Sequence, residues 1–488
     1  MLGMMLPTWF LSMWISNTAT TAMMLPIVQA ILVQLQETTD GSGEGPEVDS
    51  ESSTEGLDNS GLIMDNQSLE MADVQDVKQT NGVPEKPAID NDMTQIGNTV
   101  VIADDVPTEG FSDREYSRLC KGMSLCIAYA ANVGGISTLI GTGPNVVLQG
   151  QAEILFQKYG IESGVSFGSW MIFGFPTSLI CVVITWIWLQ IFFLRCSCLF
   201  KRSKSGRSAA IKAVIRKEYD ALGPITFAEA AVLAHFIIVA ILWLTRRPQF
   251  ISGWGDLFPP KYVGDSTAAI LVACILFIFP SKLPRVFCCG PKEYDFDHSE
   301  KGQKVEPLLT WKDVHHGLPW MIVWLLGGGF ALAAGSQKSG LSSWIGQQLT
   351  VFGDLQPWVM VLIITFIAAA VTEVTSNTAI TTIITPILGE LGLQVGVNPL
   401  YLMFPAAIAT SFAFMLPVAT PPNAIVFSHG HVKVKDMAAA GFMLNIVCVL
   451  VLNLATNTWA NAYFNFDVFP EQMLQNSSLA RNTTSLLA

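Results

Sequence analysis

Two twelve-residue segments far apart in the chain are near copies of each other. SNTATTAMMLPI from Ser16 and SNTAITTIITPI from Ser376 agree at seven of twelve positions. Each is followed by a second matching element, GTGPNVV from Gly141 to Val147 and ATPPNAI from Ala419 to Ile425. Asn17 and Asn145 are 128 residues apart, whereas Asn377 and Asn423 are 46 apart; the difference of 82 is the length of one polar stretch, residues 37–118. With that insert set aside the two halves register, so the chain must fold one supersecondary unit twice.

The medium of that fold follows from composition. The 488 residues are 51% hydrophobic and 14% charged, with mean hydropathy +0.44. Apolar segments fall at 1–36, 119–157, 165–198, 226–246, 265–285, 317–347, 356–393, 398–430 and 434–463. Several are long enough to cross a hydrocarbon core of ~30 Å. These features predict an all-α polytopic membrane protein. Its net charge of −12 is misleading, because residues 37–118 hold 20 Asp/Glu against 4 Lys/Arg. That segment is rich in Gly, Ser, Asp and Glu without periodicity, and reads as an acidic disordered loop. The nine cysteines show no disulfide or zinc spacing; Cys196, Cys198, Cys288 and Cys289 read as plain thiols or palmitoylation sites.

Basic residues orient the spans. Lys201, Arg202, Lys204, Arg207, Lys212, Arg216 and Lys217 form a basic linker, 199–225, that the positive-inside rule places in the cytosol. Counting outward from it, the acidic loop is cytosolic, segments 1–36 and 356–393 are re-entrant hairpins entering from opposite sides, and the C-terminus is extracellular. Asn476 and Asn482 in the tail 464–488 are then glycosylation acceptors on the outer face. The two repeats are therefore expected to be inverted.

Inverted repeats with interrupted helices belong to secondary transporters, which bind substrate near the midplane. Gly141, Gly143, Pro144, Pro421 and Pro422 interrupt helices inside apolar segments, where freed backbone groups must face a ligand or cavity. Freed carbonyls suit sodium, and the positive ends of the following half-helices suit an anion. Ser16, Asn17 and Thr18, and likewise Ser376, Asn377 and Thr378, supply neutral oxygens and donors at the hairpin turns. Ser12 and Thr372 each lie four residues before the motif serine, one helical turn back, where a hydroxyl completes a cation shell. Two pseudo-symmetric cation sites are expected. Glu373, three residues from the second motif, is a further candidate; Lys338 and His235 read either as functional intramembrane groups or as interface residues.

SMWISNTATTAMMLPI, GTGPNVVLQGQ, LLGGGFALA, TSNTAITT and SFAFMLPVATPPNAIVFSHG together resemble the divalent anion:sodium symporter family, in its animal sodium-dicarboxylate and sodium-citrate branch. The resemblance covers nearly the whole chain outside the acidic loop. It implies an inverted-repeat elevator-type transporter with two re-entrant hairpins and two broken helices, working as a homodimer in the plasma membrane. The implied transport domain comprises 1–36, 119–198 and 356–463, moving against scaffold helices in 226–347. Carried over residue by residue, it implies one sodium among Ser12, Ser16, Asn17 and Gly141, and another among Thr372, Ser376, Asn377 and Ala419. The implied substrate contacts are Asn17, Thr18, Thr142, Gly143, Asn377, Thr378, Thr420 and Pro421. Asn-Thr in both motifs resembles the dicarboxylate pattern, favouring succinate-like C4 acids with citrate next. Sulfate is the competing anion within the family.

One departure bears on function. The family pattern places three or four further helices before Ser16, and this sequence does not carry them, which points to a fragment, a misassembled gene model or a short isoform. The leading expectation is sodium-coupled carboxylate uptake, with sodium as co-substrate and no cofactor. The expected partners are the carboxylate, sodium and membrane lipid, with no nucleic acid. The competing expectation is a non-transporting subunit that regulates a full-length partner. An enzyme is not expected, because no catalytic constellation or phosphate loop is present.

Overall fold

The computed structural model describes residues 1–40, 113–194, 212, 215, 216, 219, 220, 222–246, 252–259, 262–282, 306–318, 320–341, 344, 348, 355–470, 472 and 473. Most of the acidic loop and basic linker, together with Cys196, Cys198, Cys288, Cys289, Asn476 and Asn482, lies outside these residues. Contacts divide the chain into one unit of Met1–Thr39 with Phe111–Ala488 and another of Asp40–Gly110; the first carries every element described below.

The repeat appears in the structure as two pairs of matched motifs. In the first, α1 (Leu2–Ser12) and α2 (Asn17–Asp40) form a helix–turn–helix whose turn holds Ser16. The Ser16 hydroxyl accepts from the Ala19 N–H at 3.3 Å, an ordinary N-cap that starts α2. In the second, α10 (Pro357–Thr372) and α11 (Asn377–Val395) repeat the arrangement. Proline in its first turn lets α10 start, and Gly396 in the left-handed region (φ 75°) ends α11. The interrupted helices are α3 (Asp113–Gly135) followed by α4 (Gly143–Gln157), and α12 (Pro399–Ala409) followed by α13 (Pro421–Ser428). Pro144 and Pro421 occupy the first turns of α4 and α13, where a missing N–H costs nothing. The helix-breaking residues of the sequence are thus helix-starting residues of the second halves.

Among the described residues four helices are long and apolar enough to span a membrane: α5 (Phe167–Leu194), α6 (Phe227–Arg246), α11, and the stretch Val434–Phe464, made of α14 (Val434–Ala455), a π turn and α15 (Asn461–Phe464). Between α6 and α10 lie α7 (Asp265–Leu276), α8 (Trp311–Gly317) and α9 (Trp320–Lys338). No strand element occurs among the described residues. Two boundaries differ from the apolar pattern. The run 265–285 suggests a full span, but α7 has 12 residues, because Pro280 cannot continue a helix and residues 279–281 instead pair with 306–308. Helix α3 begins at Asp113, ahead of its apolar run, and Tyr116 in this polar first part donates to the Leu32 carbonyl at 3.0 Å.

Helix α3 is the axis of the packing. Residues Leu125–Ala131 on it are fully buried, against α1, α5 and α13. Trp9 on α1 donates to the Ser178 hydroxyl on α5 at 2.6 Å, and Ser178 donates to the Val133 carbonyl of α3 at 2.6 Å. A relay of buried hydroxyl and indole groups therefore fixes three helices with every donor satisfied. Trp170 on α5 stacks on Phe404 of α12 at 4.6 Å and donates to the Ile136 carbonyl just past α3. Apolar packing and a polar tie thus meet where the first interrupted helix breaks.

Asp265 joins α6 and α7 to α5. Its carboxylate pairs with Arg246 at 2.7 Å and accepts from the Phe167 N–H at 3.1 Å, while its carbonyl accepts from Trp243. Two other ionisable candidates sit away from the repeat motifs. His235 is buried with Nδ1 2.7 Å from the Ala231 carbonyl one turn back and its ring edge-on to Phe279. Lys338 is exposed in the last turn of α9.

Candidate functional site

The two motif sets make the same kinds of hydrogen bond, the helix carbonyl partner standing one residue further along in the second. The Ser12 hydroxyl lies 2.7 Å from Asn17 Oδ1 and 2.8 Å from the Ala131 carbonyl. The Thr372 hydroxyl lies 2.8 Å from Asn377 Oδ1 and 2.8 Å from the Thr410 carbonyl. In each case the single hydroxyl hydrogen is shared between these two acceptors, so the oxygen lone pairs remain for a cation. Each asparagine in turn has its Oδ1 held by the hydroxyl, leaving its amide N–H groups as the donors of the hairpin tip.

The breaks are equally matched. Asn145 donates through Nδ2 to the Gly135 and Thr138 carbonyls at 3.0 and 2.7 Å. Asn423 donates to the Ala413 and Leu416 carbonyls at 2.9 and 3.0 Å. One buried amide therefore spans each break from the second half-helix back to the loop and supplies a side-chain donor to two loop carbonyls in an apolar surround. The Gly141 N–H donates to Thr138 O and the Ala419 N–H to Leu416 O, both at 3.3 Å. Neither Asn145 nor Asn423 was among the residues assigned a role from sequence. Their signal was present as the shared Pro-Asn of the second repeat element.

Burial grades across the proposed residues. Ser12, Thr372, Gly141 and Ala419 are buried; Asn17, Asn377, Thr378, Thr142 and Gly143 are half-buried; Thr18, Ser16, Ser376 and Pro421 are exposed, and Thr420 is buried. The side chains proposed around the cations thus lie mostly deeper than those proposed to touch substrate, except that Ser16 and Ser376 sit at the surface of their turns. A β-carbon at Gly135 would lie 2.4 Å from Asn17 Oδ1, and one at Gly141 would lie 2.4 Å from the Gly135 carbonyl. Gly135 therefore touches both Asn17 and Gly141 because two side chains are missing there.

The repeats also meet each other. A β-carbon at Gly143, the first residue of α4, would lie 2.4 Å from Thr378 Oγ1 at the tip of the second hairpin. This places members of the proposed substrate set from both repeats in contact. Gly143→Ala should push Thr378 away and reduce uptake by about tenfold or more at unchanged surface abundance, since displacements near 1 Å are costly in a pre-organised site. Uptake kinetics of the variant at matched surface labelling check this, and wild-type rates would show that the contact is unimportant.

Glu373 departs from the symmetry. The residue is buried, and its carboxylate accepts from the N–H groups of Phe414, Met415 and Leu416 at 2.9–3.1 Å and from Asn445 Nδ2 at 2.5 Å. By register its counterpart in the first repeat is Met13, whose carbonyl accepts from the Thr138 hydroxyl. A carboxylate thus holds the second break loop where a backbone carbonyl holds the first.

Among the described residues no cluster of His, Cys, Asp and Glu is arranged for a transition metal. The site is built from hydroxyls, amides, carbonyls and two half-helix N-termini. Neither motif carries Lys or Arg. Such an environment coordinates a hard monovalent cation through neutral oxygens and offers N–H donors and helix dipoles to an anion.

Known proteins match this chain over most of its length. The model of the sodium:sulfate symporter transmembrane region matches residues 1–465. Na(+)/dicarboxylate cotransporter 3 of Homo sapiens is 41% identical over 478 residues, covering 96% of this chain and 75% of its own length. The Na(+)/citrate cotransporter of Rattus norvegicus is 39% identical over 486 residues, with 96% and 77% covered. Solute carrier family 13 member 2 of Mus musculus is 43% identical over 489 residues, with 98% and 76% covered. A helical, multi-pass membrane chain with twin hydroxyl–amide motifs, matched over nearly its whole length by the family model, belongs to the sodium:sulfate symporter family, whose members are transporters and not enzymes.

Proposed function

We propose that the chain carries di- and tricarboxylates, succinate-like C4 acids first and citrate next, into the cell together with sodium. The observation that carries this reading is the duplicated hydroxyl–asparagine–carbonyl cluster in a setting without cationic side chains in its motifs. A dianion cannot leave water for such a site unless positive charge accompanies it. Cations bound by the neutral oxygens supply that charge, which makes anion binding depend on sodium. With several sodium ions per dianion, net positive charge enters, and each charge crossing 100 mV contributes about 2.3 kcal/mol.

In this reading one sodium sits among Ser12, Ser16, Asn17 and Gly141, and the other among Thr372, Ser376, Asn377 and Ala419. Substrate lies between Asn17, Thr18, Thr142 and Gly143 on one side and Asn377, Thr378, Thr420 and Pro421 on the other. The two helix–turn–helix units are re-entrant hairpins of a transport domain, 1–36, 119–198 and 356–463, that moves as an elevator against scaffold helices in 226–347. The meeting of α9 with α4 and α11 supports a sliding contact: Gly329 lies against Thr382, and Gly150 against Phe330. A homodimer in the plasma membrane, with an extracellular C-terminus, completes the reading; the cotransporters named above, at about 40% identity, support its substrate class.

The test is uptake of labelled succinate by cells expressing this chain, in sodium or choline medium, with citrate and sulfate as competitors. Sodium-dependent uptake blocked by citrate and not by sulfate is expected. Blockade by sulfate alone would reassign the anion, and no uptake from protein at the cell surface would favour a regulatory subunit over a transporter.

A further inference from the structure

We propose that Asn132 is a positioning residue that ties the second cation loop to the first, so that the two sodium sites load together; the inference rests on the twin-site reading above. Near its C-terminal end, helix α3 touches residues of both motif sets. Its Ala131 carbonyl accepts the Ser12 hydroxyl at 2.8 Å, an anchor of the first site. The very next side chain, Asn132, is 1% exposed and donates through Nδ2 to Thr420 Oγ1 at 3.2 Å and to Asn423 Oδ1 at 3.4 Å. Thr420 is the N-cap of α13, its hydroxyl accepting from the Asn423 N–H, and Asn423 is the amide that spans the second break. One turn earlier on α3, the Tyr129 hydroxyl donates to the Phe414 carbonyl at 2.8 Å, in the same loop.

The orientation of the Asn132 amide is forced. Asn423 commits its Nδ2 to two carbonyls, so its Oδ1 faces Asn132, and only the NH2 end of Asn132 can meet an acceptor there. Asn132 Oδ1 has no hydrogen-bond partner among the described residues, so there the amide is held by its donors alone. The bridge also runs one way. Asn145, the counterpart of Asn423, has a buried Oδ1 with no hydrogen-bond partner among the described residues. Thr410, the residue in register with Asn132, turns its hydroxyl to Ala407 O and Thr381 Oγ1 within its own repeat. When sodium draws Ser12 and the Ala131 carbonyl together, the peptide that carries Asn132 moves with them, and the α13 cap is reset through a contact made in that direction only. Two sites sharing one rigid element of this kind are coupled reciprocally.

The experiment uses the purified full chain and sodium alone, added against choline at constant ionic strength, with thermal unfolding as the readout; succinate uptake against sodium is measured in parallel. Asn132→Ala, and Asn132→Ser as a gentler change whose shorter hydroxyl cannot reach both acceptors, are compared with wild type. Loss of about one to two hydrogen bonds should raise the half-saturating sodium concentration about three- to tenfold. It should also flatten the sodium dependence towards a single-site curve. A lower unfolding temperature with an unchanged sodium curve would make Asn132 merely structural and overturn the proposal. Asn17→Ala and Asn377→Ala serve as controls: if they too keep the wild-type sodium response, the twin-site reading has failed and not the bridge alone.

Discussion

Asn17→Ala and Asn377→Ala are each expected to reduce sodium-dependent succinate uptake to below about one per cent of wild type at equal surface abundance. Each substitution removes the amide oxygen that fixes Ser12 or Thr372 and the amide donors of the hairpin tip. Two charge-assisted interactions of about 1.5–3 kcal/mol each correspond to a loss of roughly two to four powers of ten. Both asparagines are half-buried on helix N-termini, and the backbone of each turn is held by other bonds, so the chain should still reach the membrane. Surface biotinylation alongside labelled uptake separates the two effects. Near-normal uptake by either variant would remove that asparagine from the site. If one variant alone retains transport, the two sites are functionally unequal despite their matched geometry.

Glu373→Ala is expected to be the most destabilising single change among those considered, by about 3–5 kcal/mol, the cost of removing one partner from a buried charged network. Three consecutive backbone N–H groups and the Asn445 amide would lose their acceptor at once. Phe414 is fully buried and Asn445 nearly so, while Met415 and Leu416 are half-buried, so the Phe414 and Asn445 donors lose most when the carboxylate is removed. Glu373→Gln keeps the shape and one acceptor oxygen but turns an NH2 group towards the backbone donors, so it should fall between Ala and wild type. Thermal unfolding of the detergent-purified chain measures both. An alanine variant that unfolds at the wild-type temperature would show that the loop holds itself, and Glu373 would then need a different explanation for its burial.

The sequence carried much of this outcome in a form that elementary rules can decode. Apolar runs of span length mark a membrane protein because exposed backbone cannot survive in hydrocarbon. The duplicated SNT segments, with their Pro-Asn partners at a spacing reconciled by one insert, located both hairpin turns and both helix breaks. Proline and glycine encode those breaks locally, through a missing N–H or a missing β-carbon, so no tertiary information is needed to find them. Local rules served less well where a helix end depends on neighbours. Helix α7 stops well short of its apolar run, and α3 starts ahead of its own, in a polar first part whose Tyr116 bonds a carbonyl on α2.

By itself, then, the sequence determined the membrane setting, the repeat, the residues at each turn and the family. Only the tertiary structure decided which of those residues touch. Thr378 rests on Gly143 across the two repeats, Asn132 reaches Thr420 from 288 positions away, and Glu373 rather than a backbone carbonyl holds the second break loop. No periodicity or spacing encodes such contacts, because they depend on how far each helix turns its side chains towards a neighbour. That rotation is set by close packing of the whole bundle and not by any local run of residues.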